Sequence, residues 1–303
     1  MKLLRIGTRG SQLALWQANE VARRLSEVGV RSDISTIKTT GDKRHDVPLA
    51  SIGGKGLFIK ELEEALERGE IDCAVHSLKD VPSIVPPRFA LASFLERADP
   101  RDAWVHLDAV PIGELPPGSV VGTSAPRRRA QLRALHPELK IEDIRGNVDT
   151  RISKIRAGLY DGAILAAAGM TRLGRSSEIT SYFATEEMLP AAGQGIVTIE
   201  TLVDDAETRE LVERISHEAT AVAAHCERGV LQKFGERLDC YSAVAVHATA
   251  EDGELTIRAF LSDLAGTQSI RASLKGKEPE ELIAGVADGL LRQGALELLR
   301  MQA

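Results

Sequence analysis

The sequence lacks long apolar runs and any excess of positive charge. No stretch approaches the ~20 apolar residues that a membrane helix needs, and the start, MKLLRIGTRGSQLALW, contains no apolar segment typical of a signal peptide. The formal net charge of −6 argues against general affinity for nucleic acid or anionic membranes. We therefore expect a cytoplasmic monomer without nucleic-acid or membrane partners, in which any anionic ligand meets a local basic site.

Cysteine is also scarce, with three residues in the whole chain. An odd number without a Cys-x-x-Cys pair argues against a disulfide framework, and the scattered histidines lack the spacing of metal ligands, so no metal site is expected. Cys73 alternates with apolar neighbours and Cys226 lies on an apolar helical stripe, so both are predicted in the core. Cys240 follows neither period and lies in a polar loop, which is where a reactive thiol would be placed.

What the sequence does contain is an alternation of strand-like and helix-like segments. Its composition, 43% apolar and 27% charged, is that of a globular protein, and its length suggests two domains or three small ones. Up to about residue 200 the alternation predicts βαβ units with mostly parallel sheets. Beyond residue 200 the pattern predicts a small α+β unit. It consists of a long helix, three strands with a tight turn at AEDGEL, and a last helix. Boundaries are predicted near 99–102 and near 190–220.

Polar and basic side chains concentrate where predicted strands end and helices begin. Four such junctions cover residues 9–11, 77–80, 123–128 and 145–151. Helix N-termini at the carboxyl ends of parallel strands present unpaired N–H groups and a positive dipole end, so they bind anions. The cationic residues at these junctions are Arg9, Lys79, Arg127, Arg128, Arg145 and Arg151. Together they predict a cavity for several carboxylates or phosphates, although any single one could be a solvated surface charge.

Asp80 is an acidic member of this basic set. Neighbouring cations should keep its carboxylate ionised. Such a group could stabilise a cationic intermediate or move a proton, and the alternative is a simple salt bridge to Lys79 or to an arginine.

The segment GGKG at 53–56 looks superficially like a phosphate-binding loop. It lacks the required spacing and has no Ser or Thr after its lysine, so a flexible lid is favoured over a nucleotide site. No nucleotide fingerprint, serine triad or metal cluster is evident elsewhere in the sequence.

Seven segments occur in order along the chain: TRGSQLALWQ, GGKGLFIKELE, DCAVHSLKDVPS, ADPRDAWV, VGTSAPRRRAQL, IRGNVDTRISK and LPAAGQG. They resemble the successive signature segments of the porphobilinogen deaminase family, also called hydroxymethylbilane synthases. The match runs from about residue 4 to 200, and the C-terminal region is similar in layout but weaker in motif. HSLKDVP together with RGNVDTR is highly specific for this family.

The resemblance implies a transferase of tetrapyrrole biosynthesis, on the route to porphyrins and haem. Such an enzyme condenses four porphobilinogen molecules head to tail, with loss of ammonia, and releases linear hydroxymethylbilane by hydrolysis. Its partners would be porphobilinogen and its linear oligomers, and its cofactor a dipyrromethane linked through a thioether to Cys240. The implied fold is α/β, with two periplasmic-binding-protein-like α/β domains (1–98 with 194–216, and 99–193) and a small α+β domain (217–303) that bears the cysteine.

The resemblance also assigns roles to individual residues. Asp80 matches the catalytic aspartate in SLKDVP. The residues matched to cofactor binding are Ser77, Lys79, Ser124, Arg127 and Arg128. Those matched to substrate binding are Arg9, Ser11, Phe58, Arg145, Arg151 and Gln194.

Two short segments depart from the family pattern. Where the family usually has Thr-Ser-Ser-Leu-Arg-Arg this chain has Thr-Ser-Ala-Pro-Arg-Arg, so Ala125 lacks a hydroxyl that could bind the primer, whereas Pro126 is tolerable in a first helical turn. The family commonly places two glycines, or a glycine and a small residue, before the anchor cysteine, and this chain has Leu238 and Asp239 before Cys240. Glycine permits tight loop dihedrals, so this loop must take another route.

A second interpretation stays open. The same two-lobed architecture serves non-catalytic proteins that bind pyrrole acids or other small carboxylic acids. Asp80 and Cys240 discriminate between the two interpretations, because a protein that only binds needs neither.

Overall fold

The structure is a computed structural model that describes residues 2–38, 59–238 and 242–300. Phe58, Cys240 and the GGKG segment at 53–56 lie outside the described residues. The chain forms two compact units. Unit 1 comprises Met1–Ala98 with Gly195–His225, and unit 2 comprises Asp99–Gln194 with Cys226–Ala303.

Strands and helices alternate along most of the described chain. The strands are β1 (Leu4–Thr8), β2 (Ser32–Thr36), β3 (Cys73–Ser77), β4 (Phe89–Phe94), β5 (Asp102–His106), β6 (Val120–Gly122), β7 (Lys140–Glu142), β8 (Gly162–Ala166), β9 (Ser181–Tyr182), β10 (Val197–Leu202), β11 (Val244–Glu251), β12 (Glu254–Ser262) and β13 (Ser269–Gly276). The α-helices are α1 (Gln12–Glu27), α2 (Lys60–Glu67), α3 (Pro126–Leu135), α4 (Val148–Arg156), α5 (Ala167–Arg172), α6 (Ala206–Glu213), α7 (Glu218–Gln232), α8 (Pro279–Arg292) and α9 (Ala295–Arg300).

Unit 1 is built on a five-stranded sheet in the order β2-β1-β3-β10-β4. Strand β1 runs parallel to β2 and β3, whereas β10 is antiparallel to β3 and β4. Val75 packs into one core cluster with Val21 of α1, and its neighbour Ala74 packs into another with Leu62 of α2. Because adjacent strand residues point to opposite faces, helices cover both faces of this sheet.

Unit 2 repeats that arrangement in the order β7-β6-β8-β5-β9. Strand β6 is parallel to β7 and β8, and β5 is antiparallel to β8 and β9. The fully buried Trp104 of β5 packs with Val121 and Leu132 on one face, while Val105 packs with Ile152 of α4 on the other. In both units, the parallel strands therefore end at one edge of a sheet that is buried on both faces.

The remainder of unit 2 contains an antiparallel sheet in the order β11-β12-β13. Asp252 and Gly253 both have positive φ angles, 52° and 75°, at the tight turn between β11 and β12. Helix α8 packs closely on β13, since a β-carbon at Gly285 would lie 2.4 Å from Leu274 Cδ1. These observations confirm the predicted turn and the predicted α+β character of the C-terminal region.

The fold class is confirmed as α/β with a smaller α+β part. The predicted division into three domains stays a prediction; residues 226–300 belong to unit 2, and α7 contributes residues to both units. Cys73 and Cys226 are both fully buried, as predicted, and burial raises the pKa of the Cys226 thiol to about 11. Within the described residues, none of the helices has both the length and the apolar character needed to cross a membrane.

Gly162 provides a test of the core of unit 2. A β-carbon there would lie 2.2 Å from Trp104 Cη2 and 2.6 Å from the carbonyl oxygen of Val105. We expect Gly162→Ala to lower the free energy of unfolding by about 1–3 kcal/mol in urea titrations, because a buried indole and a strand backbone have no room to move. The control is Gly113→Ala, whose β-carbon would meet nothing closer than 3.8 Å. Equal stability of the two variants would contradict this packing.

Candidate functional site

The first group of predicted site residues lies at the carboxyl ends of β1 and β3 in unit 1. These strands are parallel neighbours, so the loops that follow them leave the sheet at the same edge. Arg9, Ser11, Ser77 and Asp80 line one cavity there, which is open to solvent. The structure therefore brings residues of these two junctions together within unit 1.

The loop after β1 is held by hydrogen bonds at the start of α1. Ser11 is the N-cap, and its Oγ accepts a hydrogen bond from the Ala14 amide at 3.3 Å. Thr8 Oγ1 donates to the Ala14 carbonyl at 3.1 Å, and Gln17 Nε2 donates to Ser77 Oγ at 2.7 Å. Sequence reasoning missed Gln17, although a polar residue on the buried stripe of α1 was a usable signal.

Asp80 ends a single 3-10 turn, Leu78–Asp80. The turn is anchored by Leu78, which is 1% exposed and whose amide donates to the Ile196 carbonyl at 3.0 Å. Lys79 and Asp80 are exposed. Asp80 lines the cavity and Lys79 is not among its lining residues. A buried leucine therefore sets the position of the exposed aspartate.

His76 and Glu200 are two further polar residues at this site that sequence reasoning missed. His76 lines the same cavity, and its Nε2 lies 3.0 Å from Glu200 Oε2. Both side chains are almost completely buried. A histidine and a glutamate inside predicted strands were the available signal.

The second group of predicted residues lies at the carboxyl ends of β6 and β7 in unit 2. Ser124 Oγ donates to the Ile144 carbonyl at 3.1 Å, which joins the two loops. Arg145 and Arg151 are half-buried on either side of the N-cap of α4. Arg145 lies 3.7 Å from an Asp143 carboxylate oxygen.

Gly146 shapes the loop that carries these two arginines. Its φ is +109°, and a β-carbon would meet Thr150 at 2.6 Å, so glycine is required here. Arg151 Nε donates to the Gly146 carbonyl at 2.8 Å. Asn147 caps α4 by accepting from the Thr150 amide at 2.8 Å.

Arg127 and Arg128, at the start of α3, are buried around one carboxylate. Arg127 donates to both Asp102 oxygens, at 2.6 and 3.1 Å, and Arg128 donates twice to Asp102 Oδ1, at 3.0 and 2.7 Å. Arg127 also donates to Gln194 Oε1 at 3.0 Å, and Gln194 Nε2 donates to Asp102 at 2.9 Å. Gln194, predicted to bind substrate, thus lies inside this ion network, and Asp102 is a residue whose part in it the sequence did not reveal.

The network carries more positive than negative charge. Burial opposes ionisation of Asp102, but the charges and hydrogen bonds of Arg127 and Arg128 outweigh it and hold the pKa of this carboxyl well below its usual range. Two guanidinium groups against one carboxylate leave one positive charge in excess. This buried excess lies at the N-terminus of α3, whose dipole is also positive there.

The start of α3 also shows what the departure at Ala125 and Pro126 does. Pro126 occupies the first helical position, where its missing N–H has no helical partner to lose, as expected. Ala125 is the N-cap and contributes no side-chain hydrogen bond to the helix. Its hydroxyl-free side chain leaves the capping of this turn to other groups.

Comparison with known proteins gives a family model that matches residues 4–210, described as "Porphobilinogen deaminase, dipyromethane cofactor binding domain". Relatives named porphobilinogen deaminase cover nearly the full chain. The protein of Desulfitobacterium hafniense is 44% identical over 99% of this chain and 97% of its own length. Those of Geobacter sulfurreducens and Syntrophomonas wolfei are 45% identical over 98% and 99% of this chain and 93% and 98% of their own lengths.

Solved structures show weaker similarity. The second substrate binding domain of a putative amino acid ABC transporter from Streptococcus pneumoniae matches with a TM-score of 0.45 at 12% identity, over 70% of this chain and 91% of its own. The methionine binding protein MetQ matches with a TM-score of 0.42 at 14% identity, over 70% and 89%. Similarity of this degree says nothing about ligand or reaction.

The Asp102 network generates a stability prediction. Asp102→Asn would leave two buried guanidinium groups without a counter-charge, so we expect a loss of about 3–5 kcal/mol in the free energy of unfolding. The matched control is Asp143→Asn, which removes an exposed partner of Arg129 and Arg145 and should cost about 0–1 kcal/mol. Chemical denaturation of the three proteins at neutral pH measures both effects. If Asp102→Asn lowered the free energy of unfolding no more than the control does, the Asp102 carboxylate would not be compensating the charge of the two arginines.

Proposed function

The chain belongs to the porphobilinogen deaminase family, and from this premise we propose that it is a hydroxymethylbilane synthase that condenses four porphobilinogen molecules head to tail. It is a transferase of porphyrin biosynthesis that releases ammonia at each addition and a linear hydroxymethylbilane at the end. The observation that carries the proposal is that Asp80 lines the same cavity as Arg9 and Ser11. That cavity combines anion-binding groups with an exposed carboxylate.

The residues present suit the dipyrromethane cofactor that the family domain binds. Dipyrromethane carries several carboxylates, and the donor set of unit 2 offers the Ser124 hydroxyl and the one excess positive charge of the Asp102 network at the N-terminus of α3. A buried excess cation is costly without an anion nearby. When bound, the cofactor supplies the pyrrole carbon to which units are added.

We assign the holding of this group to five residues in the two junction regions. They are Ser77, Lys79, Ser124, Arg127 and Arg128. Arg127 and Arg128 act mainly through charge and through backbone placement, because most of their guanidinium donors bind Asp102, Gln194 and main-chain carbonyls. The thioether to Cys240 is part of the proposal, and Cys73 and Cys226 are unsuited to it because both are fully buried.

Substrate carboxylates are assigned to the half-buried cations. Each porphobilinogen brings an acetate and a propionate, so the product accumulates negative charge as it grows. Arg9 and Ser11 at the start of α1, and Arg145 and Arg151 beside the start of α4, bind these groups. The proposal also includes substrate contacts of Phe58 and Gln194, as the family resemblance implies.

Asp80 is assigned the chemical role. Positive charge develops on the substrate as ammonia leaves, and a carboxylate already fixed in place stabilises it without reorganising. The same oxygens accept hydrogen bonds from pyrrole N–H groups and so orient the ring. The buried Leu78 anchor holds the aspartate in position for this.

The alternative of a non-catalytic binding protein is not favoured. Relatives that are 44–45% identical over almost the whole chain carry the enzyme name. Action in the cytoplasm as a monomer, without a nucleic-acid partner, completes the proposal and rests on the sequence.

The covalent anchor is tested by intact-protein mass. Protein made in cells that synthesise porphobilinogen should carry an increment of two pyrrole units that survives denaturation, and Cys240→Ser should lose it while folding normally. The control is Cys226→Ala, which should keep the increment, since that thiol is buried. A well-folded wild-type protein without any increment would refute the anchor at Cys240.

The role of Asp80 is tested by Asp80→Asn, which keeps the shape and removes the charge. We expect kcat to fall by about 10²–10³-fold, the scale for loss of one charge-stabilising group, while the pyrrole-derived mass increment remains. Asp33→Asn, at an exposed position of β2, should behave as wild type. Turnover close to normal in Asp80→Asn would mean that this carboxylate is structural.

A further inference from the structure

A buried acid–base cluster adjoins the Asp80 cavity, and none of the assigned roles uses it. Its members are His76 on β3, Glu200 on β10 and Glu63 on α2. His76 lines the cavity, and its Nε2 lies 3.0 Å from Glu200 Oε2. The two side chains are 4% and 1% exposed, so a titratable pair extends from the cavity wall into the core of unit 1.

The sheet register places this pair on the face covered by α2. Strands β3 and β10 are antiparallel, with His76 opposite Thr198 and Ala74 opposite Glu200. Directly opposite residues point to the same face, and Ala74 packs with Leu62 of α2. His76, Glu200 and the half-buried Glu63 therefore lead from the cavity to the α2 side of the sheet.

Two polar atoms of the cluster have spare capacity. Glu200 Oε1 is buried and has no hydrogen-bond partner among the described residues. The described part of the chain gives the His76 side chain no hydrogen bond except that of Nε2. A buried carboxylate oxygen without a partner is costly.

Charge around the cluster favours a proton on Glu63. Burial raises the pKa of Glu63 to about 7, and the charge of Glu200 adds to this effect while His76 opposes it. The other charged groups around the cluster are Glu67 with its ion-pair partner Arg88 on the α2 side, and Arg9 and Asp80 on the cavity side. A carboxyl with a pKa near 7 can both take up and release a proton at neutral pH.

We propose that His76, Glu200 and Glu63 form a proton path that removes the proton released at each condensation step; this inference rests on the proposed function. In each step the C–N bond of porphobilinogen breaks and its electron pair leaves with ammonia. A π pair of the attacked pyrrole forms the new C–C bond. The C–H bond at that carbon then breaks, its pair restores the ring, and its proton passes to His76 Nδ1.

The rest of the path carries the proton away from the cavity and restores His76 for the next condensation step. His76 gives its Nε2 proton to Glu200, and Glu63 takes the proton on and exchanges it with solvent. A tautomeric shift of the neutral imidazole, which moves its proton from Nδ1 to Nε2, then frees Nδ1 for the next step. A separate acceptor leaves Asp80 ionised throughout, so its carboxylate continues to stabilise positive charge. A protonated Asp80 would lose that ability.

The first test needs no turnover. Because the folded-state pKa of Glu63 is raised, its contribution to stability is full below its ordinary pKa of 4.5 and is lost as the pH rises through about 7. Urea unfolding of the full chain between about pH 5 and pH 8 should show this decline in wild type and not in Glu63→Gln. Glu64→Gln, on the exposed side of α2, should keep the decline.

The second test is the pH profile of turnover. Wild-type kcat should fall on the acid side with a pKa near 7, and Glu63→Gln should lose this limb, with kcat lowered by about tenfold or more and KM unchanged. His76→Asn and Glu200→Gln should lower kcat by about 10²-fold, the scale of general acid–base catalysis. Glu64→Gln should match wild type in kcat, KM and profile.

The outcomes separate this inference from the proposed function. Wild-type pH dependence of both stability and kcat in Glu63→Gln would overturn the proton path, as would kcat of Glu200→Gln equal to wild type. If His76→Asn fails to fold, the two glutamate variants decide. A wild-type protein that makes no hydroxymethylbilane would refute the proposed function instead, and the unfolding measurement would still test the cluster.

Discussion

Parallel pairing of strands is the constraint on which the site depends. In each five-stranded sheet one strand pairs in parallel on both sides, β1 with β2 and β3 in unit 1, and β6 with β7 and β8 in unit 2. Parallel strands end at the same edge, so the loops that follow them meet there. Residues far apart in sequence, such as Arg9 and Asp80, line one cavity for this reason.

Charge compensation is the second organising principle. Buried guanidinium groups need a carboxylate, and Asp102 provides it for Arg127 and Arg128 with geometry that leaves one positive charge in excess. Arg145 and Arg151, in contrast, are half-buried; Arg151 donates to the Gly146 carbonyl, and Arg145 lies 3.7 Å from a carboxylate oxygen of the exposed Asp143. The first pair is thus part of the buried core of unit 2, whereas the second pair is partly accessible to solvent.

Several core residues also contact or position residues of the candidate site. Leu78 is buried and sets Asp80, Gln17 on the apolar stripe of α1 binds Ser77, and His76 connects the cavity to Glu200. Under the proposed function, such residues restrict the rotamers of the groups assigned to ligand binding, which reduces the ordering cost of binding. The same arrangement gives two polar strand residues a partner, because Ser77 accepts from Gln17 of the adjacent helix and His76 meets Glu200 across the sheet.

Local patterns in the sequence were sufficient to predict the alternating fold, the Asp252–Gly253 turn, the burial of Cys73 and the junctions that carry Arg9 and Asp80. Periodicity, caps and turn residues act over a few neighbours, so they can be recognised without a structure. Only the tertiary structure decided that Asp102 binds Arg127 and Arg128, 25 and 26 residues away, and that His76 meets Glu200 across 124 residues. The first contacts follow from the packing of α3 against β5, and the second follows from the pairing of β3 with β10. Both are set by packing of a whole unit rather than by any local pattern.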